Sequence, residues 1–151
     1  MKILFPLLFC TMITSIILIG ACDNDNDNAS SCSTKCNIPV ASSETAATVP
    51  SGLVGTYTLT YTQINPGGPF SDGDTATFQI SANNRMVVTY KGQCVDIGNP
   101  ILFAPGTIEV NFRDNCQFNV LFGASEKVSG GLNEINVGTL SFGFLGQFTA
   151  D

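Results

Sequence analysis

The sequence predicts an all-β protein: a single small antiparallel meander, built as a barrel or a sandwich of about eight strands. Three observations carry this. From Gly52 to Asp151, apolar and polar residues alternate with a period of two, as on strands with one buried face. Clusters of Asn, Asp, Gly and Pro interrupt the alternation at short, regular spacing, the punctuation of turns. Nowhere does a helical period appear with caps.

The strands follow in order. In Gly55-Thr56-Tyr57-Thr58-Leu59-Thr60-Tyr61-Thr62, Tyr57, Leu59 and Tyr61 share one face and the threonines the other. Asn65-Pro66-Gly67-Gly68-Pro69 and Ser71-Asp72-Gly73-Asp74 break the run. Ala76, Phe78 and Ile80 form the next apolar face, and Met86, Val88 and Tyr90 the one after. Asn83-Asn84 joins them as a hairpin turn, because Asn tolerates the positive φ that tight turns require. Gln93 to Ile97 makes a short strand carrying Cys94, ended by Gly98-Asn99-Pro100. Ile101 to Phe103 is a brief apolar piece. Ile108, Val110 and Phe112 alternate next, and Asp114-Asn115 turns the chain. Cys116, Phe118, Val120 and Phe122 continue, which places Cys116 on the apolar face. Leu132 to Val137 is a further strand. Leu140, Phe142 and Phe144 close the pattern with Phe148 in phase.

The first strand, with Gly55-x-Tyr57, resembles the opening strand of lipocalin-like barrels, where a Gly-x-aromatic pair closes one end. The resemblance implies a barrel that carries a small apolar ligand. Tyr stands where the family has Trp, and the body is short for a lipocalin. An immunoglobulin-like sandwich lacks its marker, since no Trp lies between Cys94 and Cys116.

The N-terminus has a different character. Lys2 precedes an apolar run from Ile3 to Ile19, and Gly20-Ala21 supplies small residues before Cys22. This is the layout of an export signal. Ile19-Gly20-Ala21-Cys22 resembles the lipobox of bacterial lipoproteins: aliphatic, small, Gly or Ala, then Cys. The resemblance implies recognition by the signal peptidase through Ile19, Gly20 and Ala21, and cleavage after Ala21. It implies a diacylglyceryl group on the Cys22 thiol and a palmitate-type chain on the new amine. Two or three such chains hold a protein stably on a bilayer. The alternative, an uncleaved transmembrane helix, fits poorly with Pro6 and the small-residue exit.

The expected organisation is therefore residues 1–21 as signal peptide, 22–51 as lipidated Cys and flexible acidic, Ser/Thr-rich tether, and 52–151 as the β-domain. The tether expectation rests on composition. Asp23 to Asn28 alternate Asp and Asn, and Ser, Thr and Ala dominate up to Thr48, too little apolar area to offset chain entropy. The acidic run is no EF-hand: its sixth and twelfth positions are Asn28 and Thr34 rather than Gly and Glu. Asp directly after the Cys resembles an inner-membrane retention signal of enteric lipoproteins. An acidic patch there also resembles the surface-export signal of Bacteroidota. The composition favours the outer membrane, on either its periplasmic or its surface side.

Net charge is −6, and loss of Lys2 with the leader makes it more negative still. Such a chain suits neither nucleic acid nor anionic lipid. Cys10 departs with the leader and Cys22 takes lipid, leaving Cys32, Cys36, Cys94 and Cys116. An even remainder fits an oxidising compartment. Three connectivities are open; the short separations favour Cys32–Cys36 and Cys94–Cys116. A four-thiolate zinc site is disfavoured because Cys94 and Cys116 lack the close spacing of a zinc ligand pair.

Catalytic chemistry is sparse. There is no His, hence no imidazole base or triad. No nucleophile elbow, Ser-x-x-Lys or phosphate-binding Gly loop occurs. Asp72, Asp74, Asp96 and Glu109 are the carboxylates available to a hydrolase, and Asp72 with Asp74 to calcium. Phe78, Tyr90, Phe112, Phe118, Phe122, Phe142 and Phe144 either fill the core or line a pocket; a short chain needs them in its core. The sequence thus points to a lipid-anchored, non-enzymatic binding or interaction module of the cell envelope, with no cofactor or metal. Its partner would be an envelope protein, a glycan or a small apolar ligand. A lipocalin-like carrier is the alternative and a carboxylate hydrolase the third choice.

Overall fold

The computed structural model describes residues 32–104 and 108–150. The lipobox residues Ile19 to Cys22 and the acidic run lie outside them. The fold is all-β. Ten strands form one mostly antiparallel sheet: β1 (Lys35–Cys36), β2 (Gly55–Gln63), β3 (Thr75–Ser81), β4 (Arg85–Tyr90), β5 (Gln93–Ile97), β6 (Ile101–Leu102), β7 (Val110–Asp114), β8 (Val120–Glu126), β9 (Leu132–Gly138) and β10 (Phe144–Thr149). Of these, β1 and β6 have two residues each; the remaining eight are those the alternation marks out. A single 3-10 turn, Ser51–Leu53, precedes β2.

The strand order is β1-β5-β4-β3-β2-β10-β9-β8-β7-β6. Two up-and-down runs, β2 to β5 and β6 to β10, meet where β2 pairs with β10. The ladder does not close into a barrel, which corrects the closed, lipocalin-like form. The chain passes from β5 to β6 through Gly98-Asn99-Pro100, yet these strands belong to opposite halves of the sheet, with no ladder between them.

The N-terminal segment spans the gap. Lys35 and Cys36 pair in parallel with Asp96 and Ile97 of β5. Further along, Ala46 bridges Ile101 of β6. The Ala47 N–H donates to the Pro100 carbonyl at 2.9 Å, and the Leu102 N–H to the Thr45 carbonyl at 2.9 Å. The same segment therefore hydrogen-bonds to both halves. Arg113 of β7 reaches it too, its Nη1 donating to both Glu44 oxygens at 2.7 and 2.9 Å.

Two disulfides lock this strap, and they correct the expected pairing: Cys32 joins Cys94, and Cys36 joins Cys116. Neither Cys32–Cys36 nor Cys94–Cys116 forms. Short sequence separation misleads here because β1 lies beside β5, opposite the turn after β7. The expected tether is corrected over residues 32–51 for the same reason. Its composition is mostly polar, but Cys36, Ala47 and Val49 join the core, and the cross-links and the sheet's edge hydrogen bonds order the rest. Cys116 is also exposed rather than on an apolar face. It sits in a turn held by the buried Asp114 carboxylate, which accepts from the N–H groups of Cys116, Gln117 and Phe118 at 2.8, 3.0 and 2.8 Å.

The concave side is filled. Tyr61, Phe78, Phe112, Phe122 and Phe148 are fully buried. Phe70, from the β2–β3 loop, packs among them with centroids 5.6 Å from Tyr61, 4.9 Å from Tyr90 and 5.1 Å from Phe148. A core plugged by a loop phenylalanine gives this face to packing. Asn84 does adopt positive φ, +63°, in the β3–β4 hairpin.

Candidate functional site

The site lies on the opposite, outer face of the β7–β10 half. Alternation directs Val110 and Phe112 of β7, Val120, Phe122 and Ala124 of β8, and Ile135 and Val137 of β9 into the core. Their neighbours therefore face outward. Register aligns Asn111, Gly123 and Asn136 in one row across three strands, with Leu121 beside Gly138 in the next. Glycine at positions 123 and 138 leaves the rows without side chains at their centre, and a cleft of about 440 Å³ results.

Three phenyl rings stand around it. Phe103, just after β6, is 55 % exposed; Phe142 is 48 % and Phe144 is 42 % exposed. Phe103 and Phe142 meet edge to face with centroids 5.6 Å apart. Phe142 sits at φ +65°, a conformation that costs an L-residue about 1–2 kcal/mol. The surrounding turn enforces it. Phe142 N–H donates to the Thr139 carbonyl at 2.9 Å, Gly143 N–H to Thr139 Oγ1 at 2.9 Å, and Thr139 N–H to the Gly143 carbonyl at 2.7 Å.

Glu109 supplies the charge. Its Oε2 accepts from Asn136 Nδ2 at 3.0 Å. With the Asn111 amide oriented to satisfy both its ends, Nδ2 donates to Glu109 Oε1 at 3.2 Å and Oδ1 accepts from the Phe103 N–H at 3.3 Å. Asn111 is 1 % exposed and so ties the carboxylate to the backbone of the Phe103 loop. Gly123 is needed beneath it: a Cβ there would stand 2.6 Å from Glu109 Oε1.

The other carboxylates are occupied elsewhere. Asp72 accepts from the Gln63 N–H at 3.0 Å. Asp74 accepts from the Tyr90 hydroxyl and the Ser71 N–H and pairs with Lys91 at 2.9 Å. These partners, Tyr90 foremost, lower its pKa to about 2. Asp96 pairs with Arg85 at 2.6 Å and with Lys35. Burial pushes its pKa up, but these cations more than offset that and leave it lowered. The four carboxylates considered for hydrolysis thus fall on the β2–β3 turn, the β5 edge and the outer cleft, and do not converge on one site. Cys36, Cys116 and Asp114 lie close enough to share a metal ion, but both sulfurs are in a disulfide, which removes the thiolates that zinc requires.

The aromatic series divides. Phe78, Tyr90, Phe112, Phe118 and Phe122 are core. Phe142 and Phe144 are not, a correction to the closing strand. That strand begins only at Phe144, and its register shifts between Phe144 and Gly146. Leu145 and Phe148 then face inward. The sequence did carry a signal for the cleft: Gly123 within an apolar strand marks a close approach, and Phe142-Gly143-Phe144 follows Gly138 too closely for an uninterrupted strand.

Compared with protein-family models, curated proteins and solved structures, the chain matches none.

Proposed function

We propose that this chain is a bacterial lipoprotein, anchored through lipid on Cys22 to the outer membrane, whose β-domain is a non-enzymatic binding module of the cell envelope. The outer cleft of β7–β10 is its recognition face. The observation that supports this is the combination of three exposed phenyl rings with a hydrogen-bonded carboxylate on a cross-linked sheet. Exposed rings around a few fixed polar groups are typical of ligand sites, and core packing does not explain rings on the outer face. The lipobox pattern supports the anchor, and the even number of remaining cysteines supports an oxidising compartment.

Two measurements test the reading. Expression of the full chain in a bacterial host with an alkyne-tagged palmitate should label the protein, and Cys22→Ser should abolish the label. Backbone amide spectra of the full chain should then be titrated with a panel of neutral sugars, apolar molecules, organic cations and anions. At least one member should shift the Phe103, Gly123 and Phe142 signals together, and Phe142→Ala should weaken that response tenfold or more. Shifts confined to other regions would refute the cleft as recognition face.

A further inference from the structure

We infer that the cleft recognises a small organic cation, a molecule presenting an ammonium group on a compact alkyl body. The inference rests on the cleft being the recognition face, and it names the ligand class. Among the described residues, Glu109 has no cationic partner. The chain has six Lys and Arg residues, and Lys2 lies outside the described ones. Lys35 and Arg85 serve Asp96, Lys91 serves Asp74, and Arg113 serves Glu44. Lys127 forms no ion pair among the described residues. Among the described residues, Glu109 accepts from the neutral amides of Asn111 and Asn136.

Those amides orient the carboxylate and leave its charge in place. Each oxygen takes one N–H and keeps a lone pair. Phe103, Phe142 and Phe144 line the same cleft as Glu109, and the face of a phenyl ring attracts cations through its quadrupole. Negative charge and aromatic faces select the same partner, a cation, and the spare acceptors take whatever hydroxyl or N–H it carries. An anion would be repelled by Glu109. A neutral sugar would leave the charge without a counter-ion. The cleft, at about 440 Å³, lies within the range of small-molecule sites and accommodates a compact organic cation with room to spare. The overall negative charge raises the local concentration of cations.

The test compares choline with its uncharged isostere 3,3-dimethyl-1-butanol on the full chain, by amide shift titration and calorimetry at low salt. Choline should bind at least tenfold more tightly. Glu109→Gln should lower choline affinity tenfold or more, and Phe142→Leu severalfold. The thermal midpoint of each variant should stay near that of the parent, so that lost binding is not lost folding. Equal affinity for choline and its isostere overturns the inference. So does a cleft response to a neutral sugar or apolar probe but not to choline, and in both cases the cleft remains the recognition face. No response of the cleft to any probe overturns both readings.

Discussion

Removing the Cys36–Cys116 disulfide tests what holds the two halves of the sheet together. The bond links β1, seated on β5, to the turn after β7. Its loop spans 80 residues, but Cys32–Cys94 shortens the path that matters. With that bond intact, an unfolded chain connects Cys36 to Cys116 through the residues between Cys32 and Cys36 and those between Cys94 and Cys116, about 26 in all. Loop-closure entropy for about 26 residues is worth about 3.5 kcal/mol, against about 4.5 for the full loop taken alone. Cys36→Ala with Cys116→Ala, made together in a Cys22→Ser background, should therefore cost about 3–4 kcal/mol in urea unfolding. The thermal midpoint should fall by roughly 10–20 °C. Alanine avoids burying a hydroxyl at position 36, which is fully buried. A loss below about 1 kcal/mol, with Cys32–Cys94 shown intact by mass, would refute the bond as the lock of the seam and assign that role to Arg113–Glu44 and the edge hydrogen bonds.

Four further outcomes are expected. Trypsin cuts after Lys35, Arg85, Lys91, Arg113 and Lys127, so a non-reduced digest should join the peptide ending at Lys35 to 92–113, and 36–85 to 114–127; a 92–113 to 114–127 product would contradict the observed pairing. Asp74 and Asp96 have lowered pKa values in the fold, so the unfolded chain binds more protons below about pH 4. Stability should be full above that pH and fall as the pH drops towards about 2, and acid titration of the unfolding free energy that stays flat over this window would exclude their contribution. Asp114→Ala removes the acceptor of three N–H groups and should cost about 2–4 kcal/mol, whereas a loss under 1 kcal/mol by chemical denaturation would show the turn holding without it. Phe70→Ala should cost about 3–5 kcal/mol and Phe142→Ala less than about 1, and comparable losses would contradict the division between core and cleft.

Strand content was legible because alternation is a local property. Tyr57, Leu59 and Tyr61, or Phe78 and Ile80, declare an inward face wherever the strand ends up. What was not legible depended on the order of strands around the sheet. Cys32 lies 62 residues from Cys94 in the chain, and nothing local announces that β1 pairs with β5. Once that pairing exists, composition misjudges residues 32–51, because cross-links and the sheet's edge hydrogen bonds order a mostly polar segment whose Cys36, Ala47 and Val49 join the core. The cleft escaped for a related reason. Phe142 and Phe144 continue an apolar rhythm in sequence, but the 139–143 turn and the shift before Gly146 break its phase. Glu109 could be named as a carboxylate, yet its two amide partners come from β7 and β9, brought together only by the register across Gly123.

The arrangement also separates attachment from recognition. The described residues begin at Cys32, ten positions after the proposed lipid site Cys22, and Cys32 is bonded to Cys94 of β5. Ten residues reach at most about 36 Å when fully extended, which bounds the distance between a lipid on Cys22 and the Cys32–Cys94 bond. Among the described residues, a pull from the proposed anchor would meet the Cys32–Cys94 bond first and then β5, on the half of the sheet that does not carry the cleft. The rings and Glu109 sit across the β2–β10 junction, on or beside β6, β7 and β10, none of which Cys32 is bonded to. Reducing only Cys32–Cys94 would move the load to β1 and Cys36–Cys116, and from there to the turn beside Asn111 and Arg113. A ligand response that survives loss of Cys32–Cys94 in the unanchored chain but weakens in the anchored one would mark that bond as the device that keeps membrane tension away from the cleft.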